Sequence, residues 1–128
     1  MPRLPRRSMV AENKNNPELR KLIRRLHRHG RQESVPLWIA AAEHLDGSRH
    51  SRRPVNVGHL ERVAHPKEIL VVPTKLLAAG RLRKPLTVAA LAYSPGAREK
   101  VLAAGGTVLS LEEMLTKHAD AKGVRLIA

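Results

Sequence analysis

The sequence predicts an α/β fold: a small mixed or parallel sheet with flanking short helices, preceded by two helices and an extended basic N-terminal arm. Three observations carry this. From residue 55 onward, short β-branched apolar runs alternate with short helical segments bounded by Pro or Gly, the pattern of layered α/β folds. Ahead of them, two segments repeat their apolar residues with helical period. The chain has 128 residues, 42% of them apolar, enough for one compact domain with a tail. It divides into an extended basic arm at 1–15, a basic helical region with a basic loop at 16–54, and an α/β core at 55–128.

Residues 1–15 hold two prolines, three arginines and a lysine without periodicity, which predicts an arm with no core of its own. The first helix is well signalled. Asn16 is a good N-cap, Pro17 suits the first helical position, and Glu18 favours the positive end of the helix dipole. Leu19, Leu22, Ile23 and Leu26 recur at i, i+3, i+4 and i+7, an arc of about 100°. Gly30 is expected to close the helix in a left-handed turn. Arg20, Lys21, Arg24, Arg25 and Arg28 fall on the opposite side, with no acid among them to offset repulsion at i, i+4. A second helix is expected from Ser34, as N-cap, to about Leu45, with Leu37, Trp38, Ala41 and Leu45 as its apolar stripe and Trp38 as a core anchor. Asp46-Gly47 ends it, and 48–54 form a short basic loop.

Beyond the loop, Val55–Val57 reads as a brief strand and 58–64 as a helical turn. Ile69–Val72 reads as a buried strand stopped by Pro73, and Lys75–Ala79 as a separate one closed by Gly80. Leu86–Leu91 is a further buried strand. Ser94 caps a helix that has Pro95 at its first position and runs to about Ala104, where Gly105-Gly106 forms a helix C-cap and tight turn. Thr107–Leu109 is a strand, Leu111–Lys117 a short helix with Glu112-Glu113 in its first turn, and Val124–Ile127 a last strand.

Charge narrows the function. Lys and Arg number 24 against 11 Asp and Glu, a formal net charge of +13. Residues 1–31 alone carry ten of those cations and two acids, while residues 97–128 carry five and four. A gradient of this kind points one side of the molecule at an anionic partner. Arginine outnumbers lysine 16 to 8, which favours bidentate phosphate contacts. Aromatic residues are 2% of the chain, too few for a ladder of base-stacking rings, so phosphates and the shape of folded RNA are the expected targets.

Other chemistries lack their residues. There is no cysteine, hence no disulfide or thiolate metal site. Neither nucleotide-binding glycine loop occurs. His27, His29, His44, His50, His59, His65 and His118 are scattered, with no His-x-x-x-His pair on a helix, so no metal is expected. No nucleophile, base and orienting acid stand together, and no enzyme is expected. No apolar run is long enough to span a membrane, and the N-terminus lacks the apolar stretch of a secretory signal, so the cytoplasm is the expected compartment.

Residues 72–82 (VPTKLLAAGRL), 84–91 (KPLTVAAL) and 97–108 (AREKVLAAGGTV) resemble the shared core of a ribosomal family. It is that of large-subunit ribosomal protein eighteen-e of archaea and eukaryotes, related to bacterial large-subunit protein fifteen. Asn16-Pro17-Glu18-Leu19, the Leu-Ile-Arg-Arg-Leu run at 22–26 and Arg53-Pro54-Val55-Asn56-Val57 match its archaeal-type branch, and the likeness spans about residues 14–127. The resemblance implies a structural protein of the large subunit in the cytoplasm. Its partners would be large-subunit ribosomal RNA and neighbouring ribosomal proteins, with no catalysis, cofactor or small-molecule substrate. It implies RNA contacts at Arg3, Arg6, Arg7, Lys14, Arg20, Lys21, Arg24, Arg25, Arg28, Arg31, Arg49, Arg52, Arg53, Lys75, Arg81, Arg83 and Lys84. The competing expectation is a non-ribosomal RNA-binding accessory module. One departure from the family stands out: Ala78-Ala79-Gly80 replaces the usual Gly-x-Gly. If the first glycine served a positive-φ turn, Ala78 would have to adopt it at a cost.

Overall fold

The computed structural model describes residues 16–47 and 53–128. Helix α1 (Pro17–Glu33) begins as its sequence dictates: the Asn16 side chain accepts the Glu18 N–H at 3.0 Å and Pro17 opens the first turn. Leu19, Leu22, Ile23 and Leu26 are all buried. The helix does not stop at Gly30. It continues to Glu33, and Ser34 takes the left-handed conformation at φ 58°. Gly30 serves a different purpose. A Cβ there would lie 2.7 Å from Ile39 Cγ1 and 3.0 Å from the Ile39 nitrogen, so the missing side chain lets the next helix pass close by.

That helix, α2 (Pro36–Asp46), follows after two residues. Ser34 therefore ends α1 instead of capping α2. The N-cap of α2 is Val35, which makes no side-chain bond, and Pro36 at the start removes one donor that would otherwise be orphaned. Trp38, Ala41 and Leu45 are fully buried, and Leu37 packs partly buried at the margin. The Trp38 ring is a core anchor, and burial takes it away from any base-stacking role.

The remaining elements are β1 (Val55–Asn56), α3 (Val57–Val63), β2 (Ile69–Leu77), β3 (Thr87–Tyr93), α4 (Pro95–Ala103), β4 (Thr107–Ser110), α5 (Leu111–Lys117) and β5 (Val124–Leu126). Every strand pairing among the described residues is parallel. β2 lies between β3 and a split edge: β5 runs beside Ile69–Val71 and β1 beside Leu76-Leu77. β4 completes the other side against β3.

Pro73 does not end the strand it was expected to end. Val72 pairs with Ala90 and Lys75 with Ala92, so β2 spends three steps where β3 spends two. The surplus residue is a bulge at Pro73-Thr74. A bulge tolerates a residue without an N–H, and the two predicted strands become one of nine residues.

A parallel sheet is stable only when both faces are covered. Here Val71, Ala89 and Leu109 face the leucines of α1, the buried side of α2, and Met114 and Leu115 of α5. Leu70, Val72, Val88 and Ala90 face the opposite way, onto Leu60 of α3 and Ala97 and Val101 of α4. The helical N-terminal region and the sheet thus share a single core cluster. Between β4 and β3, the Tyr93 hydroxyl accepts the Ala90 N–H at 3.0 Å and offers its proton to the carbonyls of Leu109 at 2.6 Å and Val88 at 2.8 Å. Burial pushes its pKa up to about 12.

The β2–β3 connection has little length to work with. β2 covers about 26 Å end to end, and residues 78–86 must return that distance. Nine helical residues would span only about 14 Å, so the return runs extended, against α3. The Gly58 N–H donates to the Ala79 carbonyl at 2.9 Å, and the Lys67 N–H donates to the Pro85 carbonyl at 2.7 Å. The positive φ of this segment falls on Gly80, at 94°, and Ala78 needs none. Ala78 fits because its neighbour at position 96 is glycine: a Cβ there would come within 2.9 Å of the Ala78 methyl. After α4, the Gly105 N–H donates to Leu102 and the Gly106 N–H to Val101, the paired bonds of a Schellman ending. At α5, Ser110 and Glu113 form a reciprocal capping box.

Gly30→Ala should lower stability by about 1–3 kcal/mol in urea denaturation, because overpacking against Ile39 exceeds the gain in helix propensity. Tyr93 is the single tyrosine, so ultraviolet absorbance reads its ionisation directly. Its folded pKa lies above the unfolded value of 10, so the neutral phenol's contribution is complete below pH 10 and is lost as pH rises towards 12. Tyr93→Phe should cost about 1–3 kcal/mol, since the Ala90 N–H loses its acceptor and the Val88 and Leu109 carbonyls lose the one proton they share.

Candidate nucleic-acid interface

With its leucines committed to the core shared with α2, α5 and the sheet, α1 has no freedom in where its charges go. Arg20, Lys21, Arg24, Arg25, Arg28 and Arg31 are all exposed. Arg20, Arg24 and Arg28 succeed one another by four residues, a rise of about 6 Å per step. One acid approaches this ridge from α5: Glu112 lies 3.9 Å from the Arg25 guanidinium, with both side chains more than half exposed. Such a pair is weak and does not consume the charge of Arg25.

The ridge is fixed rigidly from below. The Trp38 indole N–H and the His29 Nε2 both meet the Ala119 carbonyl, each at 2.9 Å. One carbonyl oxygen can accept two donors, which assigns His29 the Nε2–H tautomer. α1 and α2 are in this way tied to the segment that leaves α5.

Beside the ridge runs an open groove of about 650 Å³, lined by Arg20, Ile23, Arg24, His27, Arg28, Arg31, Gln32 and Asp46. Asp46, the last residue of α2, was not singled out from the sequence. A signal for it existed: with only Ser34-Val35 between two antiparallel helices, residues equally distant from that turn meet, which returns Asp46 towards the first turns of α1.

The second predicted set of cations lies elsewhere. Arg53 precedes β1, Lys75 follows the bulge of β2, and Arg81, Arg83 and Lys84 ride on the extended return beside α3. Arg53, Arg81 and Arg83 are exposed and Lys75 is half-buried. The Lys84 ammonium is engaged internally, donating to the carbonyls of Glu61 at 2.6 Å and Ala64 at 2.7 Å. These are terminal carbonyls of α3, where a cation also complements the helix dipole. The Glu61 carboxylate in turn accepts the Arg83 N–H at 2.9 Å. That bond, helped by the nearby Lys84 charge, holds its pKa below the ordinary value. Lys100, not among the predicted residues, plays a similar part, donating to the carbonyls of Ala78 and Gly80. Arg3, Arg6, Arg7, Lys14, Arg49 and Arg52 lie outside the described residues, as do the arm and most of the basic loop.

Among the described residues, no group of three or more His, Asp or Glu could hold a metal ion, and no helix is long and apolar enough to cross a membrane.

Residues 37–109, more than half of the chain, match the family model of ribosomal proteins fifteen and eighteen-e of the 50S subunit and twenty-seven-A of the 60S subunit. The chain belongs to this ribosomal protein family. Large ribosomal subunit protein eL18 of Pyrobaculum aerophilum is 44% identical over 112 residues, which cover 88% of this chain and 92% of the relative. The protein of the same name from Archaeoglobus fulgidus is 40% identical over 114 residues, 89% of this chain and 97% of the relative. That from Sulfolobus acidocaldarius is 37% identical over 120 residues, 92% and 98% respectively. The family match starts at Leu37, so it takes in most of α2 and the sheet as far as β4, while the longer alignments with eL18 proteins extend beyond it.

Lys84→Met should lower stability by about 1–3 kcal/mol, because two carbonyls lose a charged donor. The same substitution should leave the salt dependence of any RNA binding unchanged, since this ammonium is already engaged.

Proposed function

We propose that this chain is a structural constituent of the large ribosomal subunit that binds folded ribosomal RNA through its basic N-terminal half. The binding elements would be the arm, α1 and the loop ahead of β1, and the bound protein would stabilise the RNA's tertiary structure. It works in the ribosome, in the cytoplasm, beside other ribosomal proteins and without catalysis. The observation that carries this reading is the division of α1. Four apolar residues are sunk in the core, and six cations stand exposed on a helix held rigid by the Trp38 and His29 bonds. Family membership supports the assembly, and the eL18 relatives are named as proteins of the large subunit. Guanidinium groups suit this work because each presents two parallel N–H donors to a phosphate.

Each neutralised phosphate releases counterions, so about eight contacts give a log–log salt slope of about −6 to −7. Titrating large-subunit ribosomal RNA fragments at several salt concentrations measures it, and a flat response contradicts the reading. Arg24→Glu combined with Arg28→Glu should abolish assembly into subunits while circular dichroism stays unchanged, because both side chains lie outside the core. Sucrose-gradient fractionation decides between this and a free-standing RNA-binding module. Migration with large subunits is expected, and a peak free of ribosomes would favour the module.

A further inference from the structure

The groove beside α1 contains one group that phosphate binding does not require. Asp46 lines it together with Arg20, Arg24 and Arg28. A carboxylate next to a docked phosphodiester repels it. Asp46 also ends α2, where negative charge opposes the helix dipole. No described residue forms an ion pair with it. A patch that gripped phosphates alone would do better without this acid. The groove is therefore complementary to a ligand with hydrogen-bond donors on one edge and acceptors on the next. Its volume of about 650 Å³ and its apolar side at Ile23 fall within the range of small-ligand sites.

Among RNA bases, guanine has that arrangement. Its N1–H and exocyclic amino group form a donor pair that matches a carboxylate, and O6 and N7 form an acceptor pair that matches a guanidinium. Adenine and cytosine place an acceptor beside the amino donor on that edge, and uracil offers one N–H between two carbonyls. Bases become available in this way where RNA is unpaired, which is also where proteins read RNA sequence. We propose that the α1–α2 groove takes an unpaired guanosine of the bound RNA. Asp46 accepts from its Watson–Crick edge, and an α1 arginine donates to O6 and N7. The other α1 arginines hold the flanking phosphates. This deepens the RNA-binding reading and rests on it.

The test uses the full chain and three RNA hairpins, identical except for one loop position that carries guanosine, inosine or uridine, with affinity read by fluorescence anisotropy. Inosine lacks only the exocyclic amino group. The unaltered protein should bind the guanosine hairpin about tenfold more tightly than the inosine one. In Asp46→Asn and Asp46→Ala that ratio should fall towards one, while the uridine hairpin binds slightly more tightly because a negative charge has gone. Equal affinity for guanosine and inosine in the unaltered protein overturns the proposal. So does an Asp46→Asn variant that shifts all three hairpins by the same factor, since Asp46 would then be only a repulsive neighbour. In either case, a uniform loss in Arg24→Glu leaves the RNA-binding reading standing. If Arg24→Glu and Arg28→Glu alter none of the three affinities, both readings fall together.

Discussion

The structure depends on a solvent constraint: a fully parallel sheet must be covered on both faces. β2 and β3 are apolar on both sides, with Val71 and Ala89 turned one way and Leu70, Val72, Val88 and Ala90 the other. Left open to water, either face would forfeit the hydrophobic term that holds the strands together. α3 and α4 cover one face. α2 and α5 cover the other, and α1 packs on α2 with its leucines closing the same core. Once they are seated, the period of the helix turns the cations of α1 outward. The charged surface is thus a consequence of how the core is closed.

Much of the chain's polar chemistry serves the backbone. Lys84 and Lys100 each hold two carbonyls on or beside the extended return between β2 and β3, and Glu61 holds an N–H on the same segment. A return without secondary structure has no ladder or helix to satisfy its amides, so side chains and neighbouring elements supply the partners. The Tyr93 hydroxyl does similar work between β3 and β4, and Ala119 receives two donors that lock α1 and α2 in place. Net charge therefore overstates the cations free to meet an anionic partner. The count that matters is the subset with no carbonyl to serve, and α1 presents six of these, all exposed, on one helix.

Much of the fold was legible beforehand. The caps at Asn16 and Ser94, the leucine stripe, the buried strands and the Gly105-Gly106 ending all follow from local rules, because each is decided by residues close together in the chain. The misreadings share a different cause. Gly30 looked like a helix stop, yet its lack of a side chain answers to Ile39 on another helix. Pro73 looked like a strand stop, yet the register with β3 absorbs it in a bulge. Ser34 looked like the cap of α2, yet the two-residue connection forces it to end α1.

By itself, the sequence determined the fold class, the family likeness and the amphipathic split of α1, since period and composition are properties of neighbouring residues along the chain. Only the tertiary structure decided that Lys84 faces inward to two carbonyls, that Ala78 is accommodated through Gly96, and that Asp46 stands in the groove of the arginines. Those outcomes depend on which distant segments meet. That is set by closing both faces of the sheet at once, a condition no local stretch of residues can express.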